Sequence, residues 1–272
     1  MRFNVKIKLP SGKERRVQEL SNKDYLTIIK FAENKDYEGL NLFFEDIILD
    51  PDLNIFDRLY ILIYIRMLFV DDMLVISNNE RQIDVSLVTL LNTLESNYKD
   101  LETVFEENGI KVVLDLPSLS FFNKIDELLI GSIKSVTLGN KTLNFYELSK
   151  EEQSDILDNL PSSIFHNTKQ FIKTISTDLL NVTIVDENKS LGVERLDIDV
   201  IGNGVIQFIS NIFSTDLDQF YNMMYIFLNT VTPGSDRFFK MSPVESRILM
   251  NHHNKKIKEE NDRLAKQQQE NN

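Results

Sequence analysis

Apolar residues crowd the stretch 54–72, NIFDRLYILIYIRMLFVDD, so densely that they fall on nearly every side of a helix. A helix that is hydrophobic all round is buried, in a core or in a membrane. Asp57, Arg58, Arg66, Asp71 and Asp72 interrupt the stretch, and its longest charge-free piece is 59–65. That is far short of the roughly 20 apolar residues a span needs. The pattern predicts the central core helix of a soluble domain, with Phe56, Leu59, Ile63 and Tyr64 in the core.

Ahead of this helix, Phe3, Val5, Ile7 and Leu9 alternate with Asn4, Lys6 and Lys8, the period of a half-buried strand. Pro10-Ser11-Gly12 turns the chain into a returning strand over 15–20. Ser21 with Asp24 three residues on marks a helix start, and Tyr25, Ile28, Ile29 and Ala32 follow at helical spacing. A second helix over 37–49 points Leu40, Phe43, Phe44, Ile47 and Ile48 inward and stops before Pro51.

Beyond the core helix the period shortens. Segments 73–77 and 81–85 flank Asn78-Asn79 as a hairpin, and a helix with Leu87, Leu90, Leu91 and Leu94 inward follows Ser86. Segments 103–105 and 110–116 flank Asn108-Gly109, the strongest hairpin signal in the chain. A helix is expected over 119–129, then a hairpin from 132–138 and 142–145 around Gly139-Asn140-Lys141. Ser149 to Glu152 is a capping box, and a longer helix covers 162–180. Segments 182–185 and 194–200 read as strands. Gly202 and Gly204 turn into the apolar run 205–213. One amphipathic helix is expected over 216–231, burying Leu217, Phe220, Tyr221, Met224, Phe227, Leu228 and Val231. Ser242-Pro-Val-Glu245 caps a last helix that carries Ile248, Leu249 and Ile257 and is almost wholly polar beyond His253.

The elements predict an α+β protein, a helical bundle with short antiparallel β-hairpins and a C-terminal helix. Four regions follow: an N-terminal hairpin and bundle around the 55–70 core helix (1–100), a β-rich middle (101–145), a helical region with a short strand pair (146–240), and a polar C-terminal helix or tail (241–272).

Charge and composition narrow the functions. The chain carries 30 basic and 42 acidic residues, a net charge of −12. Such a surface repels a phosphate backbone, so no nucleic-acid partner is expected. The absence of cysteine excludes disulfides, thiolate zinc sites and a cysteine nucleophile. The first residues, MRFNVKIKLPSGKERR, hold no apolar signal core, and a protein made and used in the cytosol is expected.

Chemical motifs are sparse. There is no phosphate-binding glycine loop with lysine, no nucleophile elbow and no histidine pair at metal-helix spacing. Asp197 and Asp199 share one face of the 194–200 strand and are the best carboxylate pair for a divalent cation or a shared proton. Leu196, Ile198 and Val200 on the other face make a plain half-buried strand the simpler reading. Gly202-Asn-Gly204 lacks the third glycine of a dinucleotide turn. His252 and His253 point about 100° apart on a helix, a poor chelate, and His166 stands alone. Arg58 and Arg66 read as paired structural charges. No catalytic residue, metal or cofactor is expected. Lys255, Lys256 and Lys258 form a small basic cluster in a tail of six basic and five acidic groups, near neutral on an acidic chain. Ile248, Leu249 and Ile257 on that tail suit a helix-in-groove contact with a partner.

Three stretches carry a family resemblance: the N-terminal strand with LPSG, the segment NIFDRLYILIYIRMLF after two short helices, and FYNMMYIF followed by MSPVESRILMNHHNKKIKEE. In their arrangement they resemble the baseplate hub assembly proteins of T4-like contractile-tailed bacteriophages. The resemblance implies a late viral protein, made in the bacterial host cytoplasm, that helps build the central hub of the tail baseplate. It would act there as a chaperone or as an incorporated subunit, with other hub or tail proteins as partners. It implies no catalytic residues. The alternative is a metal-dependent enzyme using Asp197 and Asp199.

Overall fold

The alternation at the start of the chain folds as a hairpin, in which β1 (Asn4–Lys8) pairs antiparallel with β2 (Glu14–Gln18), Val5 opposite Val17. A computed structural model of the chain describes residues 3–49, 53–78, 81–99, 101–117, 124–175, 182–185, 193–196, 204–214, 217–231 and 234–270. Ile7, Leu9 and Val17 are buried, whereas Phe3, expected on the same face, is 69% exposed. It precedes the first strand residue, so the pairing does not hold it inward.

Ser21 caps α1 (Asn22–Glu33) through a full capping box with Asp24. Then comes α2 (Tyr37–Ile47), capped by Asp36. It buries Leu40, Phe44 and Ile47, while Phe43 is only half-buried. Ile48, just past the helix, forms an isolated bridge to Val17 that ties α2 to the hairpin.

The apolar stretch folds as α3 (Ile55–Phe69), with Asn54 accepting the Asp57 amide at 2.7 Å. Phe56, Leu59, Ile61, Leu62, Ile63 and Ile65 have no exposed surface. The helix packs on α4 (Leu87–Lys99), on α8 (Gly204–Phe213) and on the start of the last helix. Its charged residues are also buried, and each has partners, although Asp57 Oδ1 and Arg58 Nε are buried without a hydrogen bond. The Ser11 hydroxyl donates to Asp57 at 2.9 Å. Arg58 reaches the Asn41 side chain at 2.9 Å and Glu45 at 3.4 Å. Arg66 donates to the carbonyls of Ile212 and Asp71, both at 2.8 Å. Burial pushes the Asp57 carboxyl above its usual range, against the Ser11 hydrogen bond and the Lys13 and Arg15 charges. Burial likewise lowers both guanidinium groups, offset at Arg58 by Glu45. Unpaired charges there would cost several kcal/mol each.

The strand-rich part follows. The hairpin of β3 (Met73–Asn78) and β4 (Arg81–Ser86) precedes α4. Then β5 (Val104–Glu107), β6 (Ile110–Leu114), β7 (Ile133–Leu138) and β8 (Lys141–Asn144) form a four-stranded antiparallel meander in that order. Asn108 and Gly109 both sit at positive φ, 52° and 76°, the two left-handed positions a type I′ turn requires. Helix α5 runs over Ile125–Ser132 and passes directly into β7. Its end lies later than the sequence pattern predicts, because the strand takes over only at Ile133.

Two more helices follow, α6 (Lys150–Asp158) and α7 (Ser162–Thr174), the second packing on β5 and α5. β9 (Val182–Val185) pairs antiparallel with β10 (Val193–Leu196). The single helix expected over 216–231 is α9 (Leu217–Ile226) followed by a π turn over Phe227–Val231. A short helix, α10 (Ser235–Lys240), follows Gly234 at φ 124°. Phe220 and Phe227 are buried and both pack on the Phe238 ring, at 5.9 and 5.2 Å between centroids. Met224 is half-buried and Tyr221 is 38% exposed. The stripe that reaches the core is therefore narrower than the apolar pattern. Finally α11 runs over Pro243–Glu270. One hydrophobic cluster extends from Ile7 to Phe238, and α3 passes through it.

Candidate protein–protein interface

The last helix is rooted firmly and then leaves the body. At its root the Ser242 amide donates to Glu245 at 2.9 Å and the Glu245 amide to the Ser242 hydroxyl at 3.2 Å. The buried Asn22 side chain donates to the Phe238 carbonyl at 2.8 Å and to the Ser246 hydroxyl at 2.5 Å. Its backbone amide donates to Met241 at 2.7 Å. Arg247 pairs with Asp71 at the end of the α3 segment. From Asn251 to Gln267 every residue except the half-exposed His253 is exposed. At 1.5 Å per residue α11 is about 42 Å long, so more than half of it stands in solvent.

Three apolar side chains on this helix are exposed: Ile248 by 50%, Ile257 by 43% and Leu264 by 47%. Leu249 is half-buried and packs against the core with Met250. Ile248, Leu249 and Ile257 do not make one face. Nine residues at 100° each put Ile248 half a turn from Ile257. The continuous stripe is Met250, Ile257 and Leu264, seven residues apart, beginning on the body and running outward. Leu264 was legible from that spacing but lay within a segment that reads as polar. Lys256 and Lys258 are exposed on the flanks of the stripe, and Lys255, one heptad from Ile248, is exposed on the far side.

Among the described residues the remaining sequence candidates do not gather into a site. Asp197, Asp199 and Gly202 lie outside the described residues. His166 and His252 are exposed. Among the described residues no three His, Asp or Glu side chains are placed to hold a metal ion, and no helix is long and apolar enough to cross a membrane. Within the core, Phe56 lies 4.8 Å from the Tyr98 ring. Tyr64, half-buried, stacks on Tyr60. Tyr60 donates to Glu95 at 2.5 Å, and its hydroxyl pKa is raised first by burial and then by that carboxylate.

Two hollows open on this side of the molecule. A groove of about 830 Å³ between α1 and α10 is lined by Lys23, Leu26, Thr27, Lys30, Phe239 and Lys240, among others. A smaller one of about 330 Å³ lies beside Arg66, Asp71, Phe220 and Arg247. Its two guanidinium groups are already engaged, by backbone carbonyls and by Asp71.

Against known proteins, the chain matches the family model described as T4 bacteriophage base plate protein over residues 1–208. No curated protein and no solved structure matches it. The matched residues end within α8, so α9, α10 and α11 lie beyond them.

Proposed function

Since the chain belongs to the T4 bacteriophage base plate protein family, we propose that it serves assembly of the baseplate hub by protein–protein contact, as a chaperone or as an incorporated subunit. The observation that carries this reading is α11, a helix anchored at one end that presents Ile257 and Leu264 to solvent along most of its length. Ordering a helix about 42 Å long with no core to cover is explicable when a partner supplies the missing surface. The partner is another hub or tail protein with an apolar groove, entered by the Met250–Ile257–Leu264 stripe, while Lys256 and Lys258 on its flanks meet carboxylates at the rim. The function is non-enzymatic on this reading, since binding alone performs it.

Mass spectrometry of purified virions beside the infected-cell lysate tests the assignment. A subunit is abundant in the virion. A chaperone is found in the lysate with hub proteins and is missing from the virion. Absence from both complexes, with the chain alone and monomeric, overturns the reading.

A further inference from the structure

The groove between α1 and α10 is made by two matching stripes. Lys23, Leu26, Thr27 and Lys30 fall at i, i+3, i+4 and i+7 on α1, hence on one face. Asp236, Phe239 and Lys240 fall at i, i+3 and i+4 on α10. Leu26 and Phe239 are half-buried and form an apolar floor. The three lysines at its edges are exposed, and none is in an ion pair with a carboxylate among the described residues. Three lysines against one aspartate make this a cationic groove on a chain of net charge −12.

The complement lies on the same molecule. Helix α2 exposes Leu42 by 56%, and Leu49 just past its end is 53% exposed. Glu38, Glu45 and Asp46 flank them, all exposed. Glu38, Leu42 and Glu45 recur at i, i+4 and i+7, a helical stripe of apolar and acidic side chains. Glu45 already pairs with Arg58, which leaves Glu38 and Asp46 to carry the outward negative charge. This stripe has the spacing, the apolar centre and the sign that the groove requires.

We propose that a second copy of this chain docks here, laying its α2 stripe in the α1–α10 groove, with Leu42 over Leu26 and Phe239 and with Glu38 and Asp46 against the lysines. The two surfaces are different patches of one molecule, so the contact is heterologous and repeats head to tail, closing into a ring or continuing as a filament. It leaves α11 free for a different partner.

Sedimentation of the full-length chain over a concentration series tests this, with melting temperature as the folding control. The wild type self-associates, and more weakly as salt is raised, because exposed charges are screened. Lys23→Glu with Lys30→Glu weakens association by about tenfold or more, and so does Glu38→Lys with Asp46→Lys. Combining all four substitutions restores it, because the reversed charges face each other again. A wild type that stays monomeric overturns the proposal, as does a four-fold variant that is not rescued. If the chain is monomeric but Lys23→Glu with Lys30→Glu strips a different protein from its purified complex, the groove belongs to a foreign acidic helix and the proposal fails. Loss of hub co-purification through α11 alone leaves these results unchanged, so the two readings fail separately.

Discussion

Helices α3 and α11 depart from the ordinary one-sided amphipathic pattern in opposite directions. Twelve of the fifteen residues of α3 are buried, including Asp57, Arg58 and Arg66. Outside its first two turns, α11 exposes almost everything. The core helix contributes stability and presents little to a partner. The last helix contributes little to the core beyond its root and is almost all surface. Folding free energy scales with apolar area removed from water, at about 25 cal/mol per Å², so the two helices divide the work: one holds the fold and the other is available for recognition.

Truncating one side chain in each helix separates the two roles with the largest expected effect. Phe56→Ala removes a ring with no exposed surface that packs on Tyr98 and should cost about 3–5 kcal/mol, read by urea denaturation. Ile257→Ala should change stability by less than about 0.5 kcal/mol. Equal costs at the two positions would mean that α11 packs on the body in solution.

A smaller effect is expected where the two regions meet. Asn22→Ala leaves the Phe238 carbonyl without its side-chain donor and Ser246 without its buried neighbour. The expected cost is about 1–3 kcal/mol. Protease should then cut near 241–246 sooner than in the wild type. Unchanged cleavage there would show that Arg247 and the capping box hold the root without Asn22.

The smallest effect concerns a cap far from both helices. Hydrogen bonds from the Ser149 backbone and side chain hold the Glu152 carboxyl below the usual glutamate range. A depressed folded-state pKa gives stability that is present above the unfolded value, about 4.3, and is lost as pH falls through the folded one. Amide exchange in α6, measured relative to the intrinsic rate, should therefore lose protection below about pH 4. Glu152→Gln, which keeps a capping box, should remove that pH dependence. A variant that still loses protection would place the titration elsewhere.

Much of the fold was legible because local signals agreed with the tertiary structure. Ser21 with Asp24, Ser149 with Glu152 and Ser242 with Glu245 all form the reciprocal caps their spacing predicts. Asn108-Gly109 makes its hairpin, and the all-round apolar character of 54–72 identified the central helix. The misses have physical reasons. Helix α10 is six residues long, too short for periodicity to show, and it starts at a glycine whose φ of 124° no pattern reveals. The π turn over Phe227–Val231 ends the regular helix early, and Tyr221, one residue past the buried Phe220, lies about 100° off its face and stays out. The lysine groove joins α1 to α10, more than 200 residues apart in the chain, and Lys240 reads alone as an ordinary surface charge. On α11 the sequence offers Ile248, Leu249 and Ile257 together, and helix phase puts Ile248 half a turn from Ile257.

That α11 binds a baseplate partner without supporting the fold is put to the test by a paired measurement on Ile257→Asp with Leu264→Asp. The melting temperature should stay within about 2 °C of the wild type and baseplate proteins should be lost from the chain purified out of infected cells, while Ile248→Asp on the opposite side retains them. Retention of the same partners by the Ile257→Asp, Leu264→Asp variant would contradict it.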